Sequence, residues 1–283
     1  MINHDLSRWG DIPDDAVDIA EAALAFSPST DGTADIDRYR TCLTRLCHGL
    51  ERSLSSPSGE GKGATVATRC AQALAEEIAG RHGYRGEIGS FGDVDGANFR
   101  RVLDRRRGFP VALGVLYLHV GRSQGWSLEG VDFPGFFLVR LEAPDGSRAI
   151  LDPFHRGAVL SPSRMRALLK KARGPAAELS PDNYRPMGNR EVLLRLQNNL
   201  KAEFLRAGRP ADALGILHSM LVLAPDSRDL WREIGMISAG LGATGPAITA
   251  LERYLSLAPA TPLRQNIASL LHELEARPPV TAG

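Results

Sequence analysis

The sequence predicts an α+β fold, in which a helical N-terminal part and a core with a small antiparallel sheet precede an all-α region of helical repeats. Three observations support this. Apolar residues recur at helical spacing from Asp14 to Gly83. Strand-like runs joined by turn residues fill the middle of the chain, and two similar helical segments follow. We expect the N-terminal helical part of the core at 1–83, the rest of the core at 84–175 and the repeats at 189–276.

Three helices are predicted in the N-terminal part. The first, "DDAVDIAEAALAF", opens on an Asp that suits a helix N-cap. The third, which starts near "ATVATRCAQ", ends at Gly83 in the manner of a glycine stop. A loop rich in Ser, Gly and Pro is expected at 55–63. In the second helix one apolar face is predicted, formed by Ile36, Tyr39, Leu43, Leu46, Leu50 and Leu54.

The middle region changes character. Asp95 and Asn98 are candidate caps for the short helix "RRVLDRRRG", and an apolar helix is expected at Val111–Ser123. The turn "APDGS" carries the Asp-Gly pair typical of a hairpin. A further helix should begin near Ser161, because a proline follows at its first turn. The predicted strands are Leu128–Phe133, Phe136–Leu141 and Ala149–Leu151.

The C-terminal region repeats itself. The segments "AGRPADALGILHSMLVLAP" and "LGATGPAITALERYLSLAP" are offset by 34 residues, so that Gly208 matches Gly242. The same offset matches Ala213 with Ala247 and Leu217 with Leu251. A 34-residue helix–turn–helix period with small residues at packing positions is the tetratricopeptide signature. About two units fit, flanked by helices at Glu191–Leu205 and Thr261–Glu275.

Composition excludes several classes of protein. The chain has 283 residues, a net charge of +1 and 43% hydrophobic residues, values of an ordinary folded protein without a bias toward nucleic acid or anionic membranes. No apolar run approaches the length of a membrane span, and the N-terminus lacks the pattern of a secretory signal. Three cysteines without a paired motif favour a reducing compartment. We therefore expect a cytoplasmic bacterial protein without a cofactor, and the oligomeric state stays open.

The order of these segments resembles a known family. The motifs "NFRRVLDRRRGFPVALGVLYLHV", "LEGVDFPGFFLVR" and "LDPF", followed by the repeat pair, are similar to the SirB-type bacterial proteins. In these, a transglutaminase-like core precedes tetratricopeptide repeats. The resemblance spans nearly the whole chain and implies a papain-like α+β core.

The resemblance also implies where catalytic residues would lie. Transglutaminase-like catalysis needs a thiolate at a helix N-terminus, a His on a neighbouring strand and an Asp or Asn that orients this His. The nucleophile position corresponds to Pro110 or Val111, and neither has a thiol or hydroxyl. The base position is Phe136, where the family motif usually has His, and the acid position is Asp152. Two of the three groups are missing, so we assign no catalytic residue and expect a pseudoenzyme.

The same positions form a candidate binding cleft. We expect Phe136, Arg140, Asp152, His155 and Arg107 to contribute to it. His155 follows Asp152 closely, whereas His119 lies in the middle of the apolar helix and is assigned to packing. The leading hypothesis is an adaptor or regulator that binds a protein partner or peptide through the cleft and the repeat surface.

Two alternatives stay open. One is a cysteine-dependent hydrolase or acyltransferase with relocated residues, using Cys70 and His155. The other is a nucleic-acid-associated regulator that uses the basic run "RRVLDRRR". We expect a solvated or ion-paired face there, with Arg100 and Asp104 in reach of each other.

Two segments resemble a metal-binding or phosphate-binding motif, but neither has the required residues. "DVDGANF" has its glycine in the wrong place for a calcium loop, and "SPSGEGKGAT" lacks the Walker spacing.

Overall fold

The computed structural model describes residues 6–28, 36–55, 64–87 and 93–276. The chain divides into two compact units, one of Ile12–Leu196 and one of Met1–Asp11 together with Gln197–Gly283. Within the described ranges no helix is long and apolar enough to span a membrane. Residues 56–63 of the predicted loop lie outside those ranges.

The elements follow the predicted order, with helices at both ends and strands in the middle. The helices are α1 (Arg8–Asp11), α2 (Ile19–Phe26), α3 (Ile36–Ser55), α4 (Val66–Ala75), α5 (Val94–Ala97), α6 (Phe99–Arg105), α7 (Pro110–Arg122), α8 (Pro162–Arg173), α9 (Asn189–Arg206), α10 (Pro210–Leu223), α11 (Arg228–Gly240), α12 (Thr244–Leu257) and α13 (Pro262–Glu275). The strands are β1 (Arg85–Gly86), β2 (Arg107–Gly108), β3 (Ser127–Phe133), β4 (Phe136–Glu142), β5 (Arg148–Asp152), β6 (Ala158–Val159) and β7 (Arg185–Met187). A π-helical turn, Glu76–Arg81, extends α4.

The helix predicted in "DDAVDIAEAALAF" is α2, and it starts later than predicted. Residues 14–16 form a 3₁₀ turn, and α2 begins at Ile19 because the Asp18 carboxylate accepts the N–H groups of Ala20 (3.0 Å) and Glu21 (3.1 Å). On the predicted apolar face of α3, Tyr39, Leu43, Leu46 and Leu50 are buried. Ile36 is half-buried at the start of the helix, and Leu54 is 44% exposed near its end.

An antiparallel sheet forms the centre of the unit Ile12–Leu196. Its strand order is β6-β5-β4-β3-β7. Strands β3 and β4 form a hairpin in which Phe133 faces Phe136 across the two-residue turn Pro134–Gly135. Gly135 has φ +77°, which glycine adopts without strain. The turn between β4 and β5, closed by a hydrogen bond from Ala143 N–H to the Ser147 carbonyl (2.9 Å), fixes the register that brings the start of β4 beside the end of β5.

Helices cover both faces of this sheet. The predicted apolar helix is α7, and its buried side packs on β3 and β4. Gly114 allows the close approach, because a Cβ there would lie 2.1 Å from the Phe137 ring. On the opposite face, α8 completes a buried cluster of Val131, Phe133, Leu138, Met165, Leu168 and Leu169. Neighbouring residues of β4 therefore serve two different cores, as a strand's alternation requires.

One predicted ion pair does not form. Arg100 lies half-buried and donates from Nε to the Leu24 carbonyl (3.0 Å), whereas Asp104 bonds to Arg38 (3.0 Å) and Tyr39 (3.1 Å). The partner of Arg100 lies on α2 and the partners of Asp104 lie on α3, so the two side chains point toward different helices.

The repeat prediction is confirmed in the C-terminal unit. Gly208 and Gly242, matched by the 34-residue offset, have φ +68° and +75° at the equivalent turns between helices. The matched pairs Ala213/Ala247 and Leu217/Leu251 are fully buried. In α11, Gly235 permits close packing of Leu251 from α12, since a Cβ would lie 2.4 Å from its Cδ2. The period therefore reflects real packing equivalence.

Candidate functional site

A cleft of about 320 Å³ opens where α7 and β4 begin and β5 ends. Its walls are mostly aromatic, and the phenylalanines that line it are Phe109, Phe136, Phe137 and Phe154. Pro110 and Gly135 complete the apolar surface. All of these residues belong to the unit Ile12–Leu196.

The aromatic walls are set in place by glycines. A Cβ on Gly96 would lie 2.8 Å from the Phe109 ring, and Phe109 N–H donates to the Gly96 carbonyl (2.8 Å). A Cβ on Gly86 would lie 2.3 Å from the Phe154 ring, and Gly86 N–H donates to the Phe154 carbonyl (2.9 Å). Each ring thus packs directly against the backbone of a glycine, because the glycine has no Cβ in the way.

Apolar residues occupy the two positions that the resemblance implies for the reacting groups, Pro110 or Val111 for the nucleophile and Phe136 for the base. Pro110 is the first residue of α7, with Phe109 as its N-cap. Phe136 is the first residue of β4, half-buried and packed on Phe133 at a centroid distance of 6.2 Å. A proline at this position has neither a nucleophilic atom nor an N–H, and phenylalanine cannot accept a proton. The helix head and the strand therefore meet at the cleft without the groups for acyl transfer.

Asp152 and His155 form a hydrogen-bonded pair at the edge of the cleft. The distance from His155 Nδ1 to Asp152 Oδ2 is 2.6 Å, and Asp152 Oδ1 accepts the N–H groups of Phe154 (3.0 Å) and His155 (3.2 Å). The Asp152 side chain is 5% exposed and that of His155 is 57% exposed. The carboxylate thus orders the turn after β5 and orients the imidazole, which also contacts the Phe154 ring edge-on at 5.2 Å.

The two predicted arginines lie farther from the cleft. Arg107 Nη1 donates to Glu87 Oε1 (2.8 Å), and Glu87 lines the cleft, so Arg107 reaches it only through this carboxylate. Arg140 lies farther along β4 and pairs with Glu129, directly opposite on β3. Phe136, Asp152 and His155 thus come together, Arg107 is one ion pair away, and Arg140 is not among the lining residues.

Several lining residues were missed by sequence reasoning. Lys171 lines the cleft from α8. Helix α8 lies close to the β3–β4 turn, because a Cβ placed on Gly135 would lie 3.4 Å from the Ala172 Cβ. No local sequence pattern indicates this packing. Phe154 could have been found, because extending the β4–β5 register places it opposite Phe136.

The cysteines lack the environment of a catalytic thiol. All three are free, and burial raises the pKa of Cys70 and of Cys47 above the ordinary value. A catalytic cysteine requires the opposite shift. Among the described residues no imidazole lies within hydrogen-bond distance of Cys70, and His155 bonds to Asp152 instead. Cys42 lies 3.5 Å from the Tyr84 hydroxyl.

The basic run is largely paired within the fold. Arg101 pairs with Asp95 (3.2 Å), and Arg105 pairs with Asp93 and Glu87 (both 3.3 Å). Such pairing leaves fewer cations for phosphates, which a nucleic-acid interface needs. His119 is mostly buried on α7, 3.8 Å from Asp18, and burial lowers its pKa. Across the described ranges no group of three His, Cys, Asp or Glu side chains could hold a metal ion.

Comparison with known proteins shows the family of the chain. A family model for the transglutaminase-like superfamily matches residues 37–198, more than half of the chain. The chain belongs to the transglutaminase-like superfamily. A tetratricopeptide-repeat model matches residues 200–272.

The proteins to which this chain is similar include several from bacteria. A UPF0162 protein of Xylella fastidiosa is 32% identical over 185 residues, which cover 63% of this chain and 64% of that relative. The chain thus spans slightly less than two thirds of that protein. A UPF0162 protein of Vibrio cholerae is 27% identical over 263 residues, 92% of this chain and 94% of the relative. Protein SirB1 of Salmonella typhimurium is 26% identical over 195 residues, 69% of this chain and 72% of the relative. The predicted SirB-type resemblance is confirmed.

Proposed function

We propose that this member of the transglutaminase-like superfamily is a non-catalytic adaptor or regulator that binds protein partners. The observation that carries the proposal is the pair of apolar residues, Pro110 and Phe136, at the head of α7 and the start of β4. Loss of both nucleophile and base removes the covalent step and its proton transfer, so binding is the capacity left to this cleft.

The chemistry of the cleft walls supports binding. Phe109, Phe136 and Phe154 present apolar rings, and clefts lined by aromatic side chains with a few polar groups are typical of ligand sites. The Asp152–His155 pair and Lys171 supply polar groups at the edge of this cleft. A side chain or small group with an apolar body fits such a surface.

The repeat unit supports a protein as the partner. Stacked helix pairs present extended surfaces that accommodate peptides or helices of other proteins. Leu205 on α9, Met236 on α11 and Leu241 just after α11 are each at least 40% exposed, so apolar side chains are available for contact with a partner. Free thiols at all three cysteines support a reducing cytoplasm as the compartment.

Crosslinked capture from a bacterial lysate, quantified by mass spectrometry, tests the proposal. The full chain is compared with Phe136→Glu in the cleft and Met236→Glu on the repeats. Val159→Glu, which replaces an apolar residue that is 39% exposed and lies outside both surfaces, is the control. We expect the same proteins with the full chain and the control, and their loss with at least one of the other two variants. Equal recovery by all variants and by empty resin would contradict an adaptor role.

A further inference from the structure

The cleft has room for about one side chain. Its volume of about 320 Å³ lies at the lower end of the roughly 300–1,000 Å³ range of sites for small molecules. Phe109, Phe136 and Phe154 face this space, so the body of an occupant must be apolar.

Both carboxylates at the cleft already have partners. Glu87 pairs with Arg107 (2.8 Å) and Arg105 (3.3 Å). Asp152 accepts two backbone N–H groups and bonds to His155 (2.6 Å). Both carboxylates therefore already have donors within the fold, and neither is free to pair with a cation of a ligand.

Among the described charged side chains of the cleft, the one without an ion-pair partner is a cation. Lys171 lines it from the last turn of α8, and no carboxylate of the described residues lies within ion-pair distance of its ammonium group. Lys170, its neighbour, is equally exposed to solvent in the same helical turn but does not line the cleft. The complementary ligand thus joins one apolar group to one anion.

We propose that the cleft binds the C-terminal residue of a partner polypeptide with an apolar last side chain. The side chain lies among the phenylalanines, and the terminal carboxylate pairs with Lys171. In a polypeptide of the common amino acids, an apolar side chain and a carboxylate occur on one residue only at the C-terminus. Capture of a terminal carboxylate is a recurring mode of peptide recognition. The inference rests on the proposed function and names the feature of the partner that the cleft recognises.

Fluorescence anisotropy with the full chain tests the inference. The probe is a fluorescein-labelled Gly-Ser-Gly-Ser-Gly-Phe peptide with a free terminal carboxylate, compared with its terminal amide and with a version ending in Ser. We expect the amide and the Ser version to bind at least about tenfold more weakly, because a charge-assisted hydrogen bond or a buried ring contributes on the order of 1.4 kcal/mol or more.

Two protein variants locate the effect. Lys171→Gln should weaken binding of the free acid by about tenfold and leave the amide unchanged, whereas Lys170→Gln should change neither. Thermal denaturation confirms that both variants fold. Equal binding of acid and amide, an equal effect of the two lysine variants, or no binding of the free acid would overturn the inference.

Competition with 3-phenylpropanoate separates the peptide from a free acid of the same chemistry. Displacement of the bound peptide supports a shared site. Binding of 3-phenylpropanoate together with no binding of any peptide would overturn the assignment to a polypeptide terminus. If the peptide fails but the capture experiment still recovers cleft-dependent proteins, this inference is wrong and the proposed function stands. If both fail, both are wrong.

Discussion

Replacing Asp152 tests whether this acidic residue now serves the structure. Its side chain is buried and accepts N–H groups from Phe154 (3.0 Å) and His155 (3.2 Å), in addition to the bond with the imidazole (2.6 Å). A hydrogen bond to a charged group contributes about 1.5–3 kcal/mol, and the half-exposed imidazole contributes less. Asp152→Ala should therefore lower the free energy of unfolding by about 2–4 kcal/mol.

Asp152→Asn is the matched control. Both backbone N–H groups donate to the single oxygen Oδ1, and an asparagine retains one such oxygen. Its loss of stability should be about 1 kcal/mol, because only the charge and the imidazole bond are affected. Urea denaturation of the full chain measures both values. A cost below about 0.5 kcal/mol for Asp152→Ala, or equal costs for the two variants, would refute the reasoning.

Three further experiments probe the cleft wall at Gly86, the thiol of Cys70 and the mostly buried His119. Gly86→Ala should lower the free energy of unfolding by about 1–3 kcal/mol and weaken binding of the peptide probe, since the new Cβ would lie 2.3 Å from the Phe154 ring. Gly215→Ala is the control, because a Cβ added to this helical glycine would meet nothing within 4 Å. It should leave the free energy of unfolding unchanged or raise it by up to about 1 kcal/mol. Equal losses of stability for Gly86→Ala and Gly215→Ala would contradict this account. Cys70 should react with iodoacetamide at pH 8 more slowly than free cysteine, because burial raises its pKa; faster alkylation would favour a catalytic thiol. Burial lowers the pKa of His119, so protonation below about pH 6.5 favours the unfolded chain. His119→Gln should therefore lose less stability than the natural chain between pH 7 and pH 5, and an identical loss would contradict burial as the cause.

Elements defined by local pattern were predictable. The apolar run of α7, the Asp-Gly turn and the 34-residue period each depend on residues close in sequence or on repetition. Strand β7 was not predicted, because only three residues pair with β3 from more than 50 positions away. The start of α2 was misplaced because several acidic residues can cap a helix, and tertiary packing selects Asp18.

The site was predictable where a motif fixed it. Phe136, Asp152 and His155 follow from the strand motifs and meet at the cleft. Lys171 depends on how α8 packs across the sheet, and Arg140 pairs with Glu129 as the strand register dictates. Sequence spacing does not contain the packing of α8, whereas the two-residue turn Pro134–Gly135 between the predicted strands already implies that Arg140 lies opposite Glu129.

The double variant Pro110→Cys/Phe136→His tests the central claim that the fold retains a catalytic frame without its two reacting groups. At a helix N-terminus beside an imidazole, a thiol pKa falls from about 8.5 into the range of about 3.5–7.5. For a pKa near 6.5, the gain in thiolate at pH 6 outweighs the lower nucleophilicity and leaves a net gain of about tenfold. Alkylation of the introduced thiol by iodoacetamide at pH 6, with Cys70 as the internal reference, measures this gain. We predict alkylation about ten times faster than that of free cysteine. A rate equal to that of free cysteine would contradict the assignment of Pro110 and Phe136 to the reacting positions.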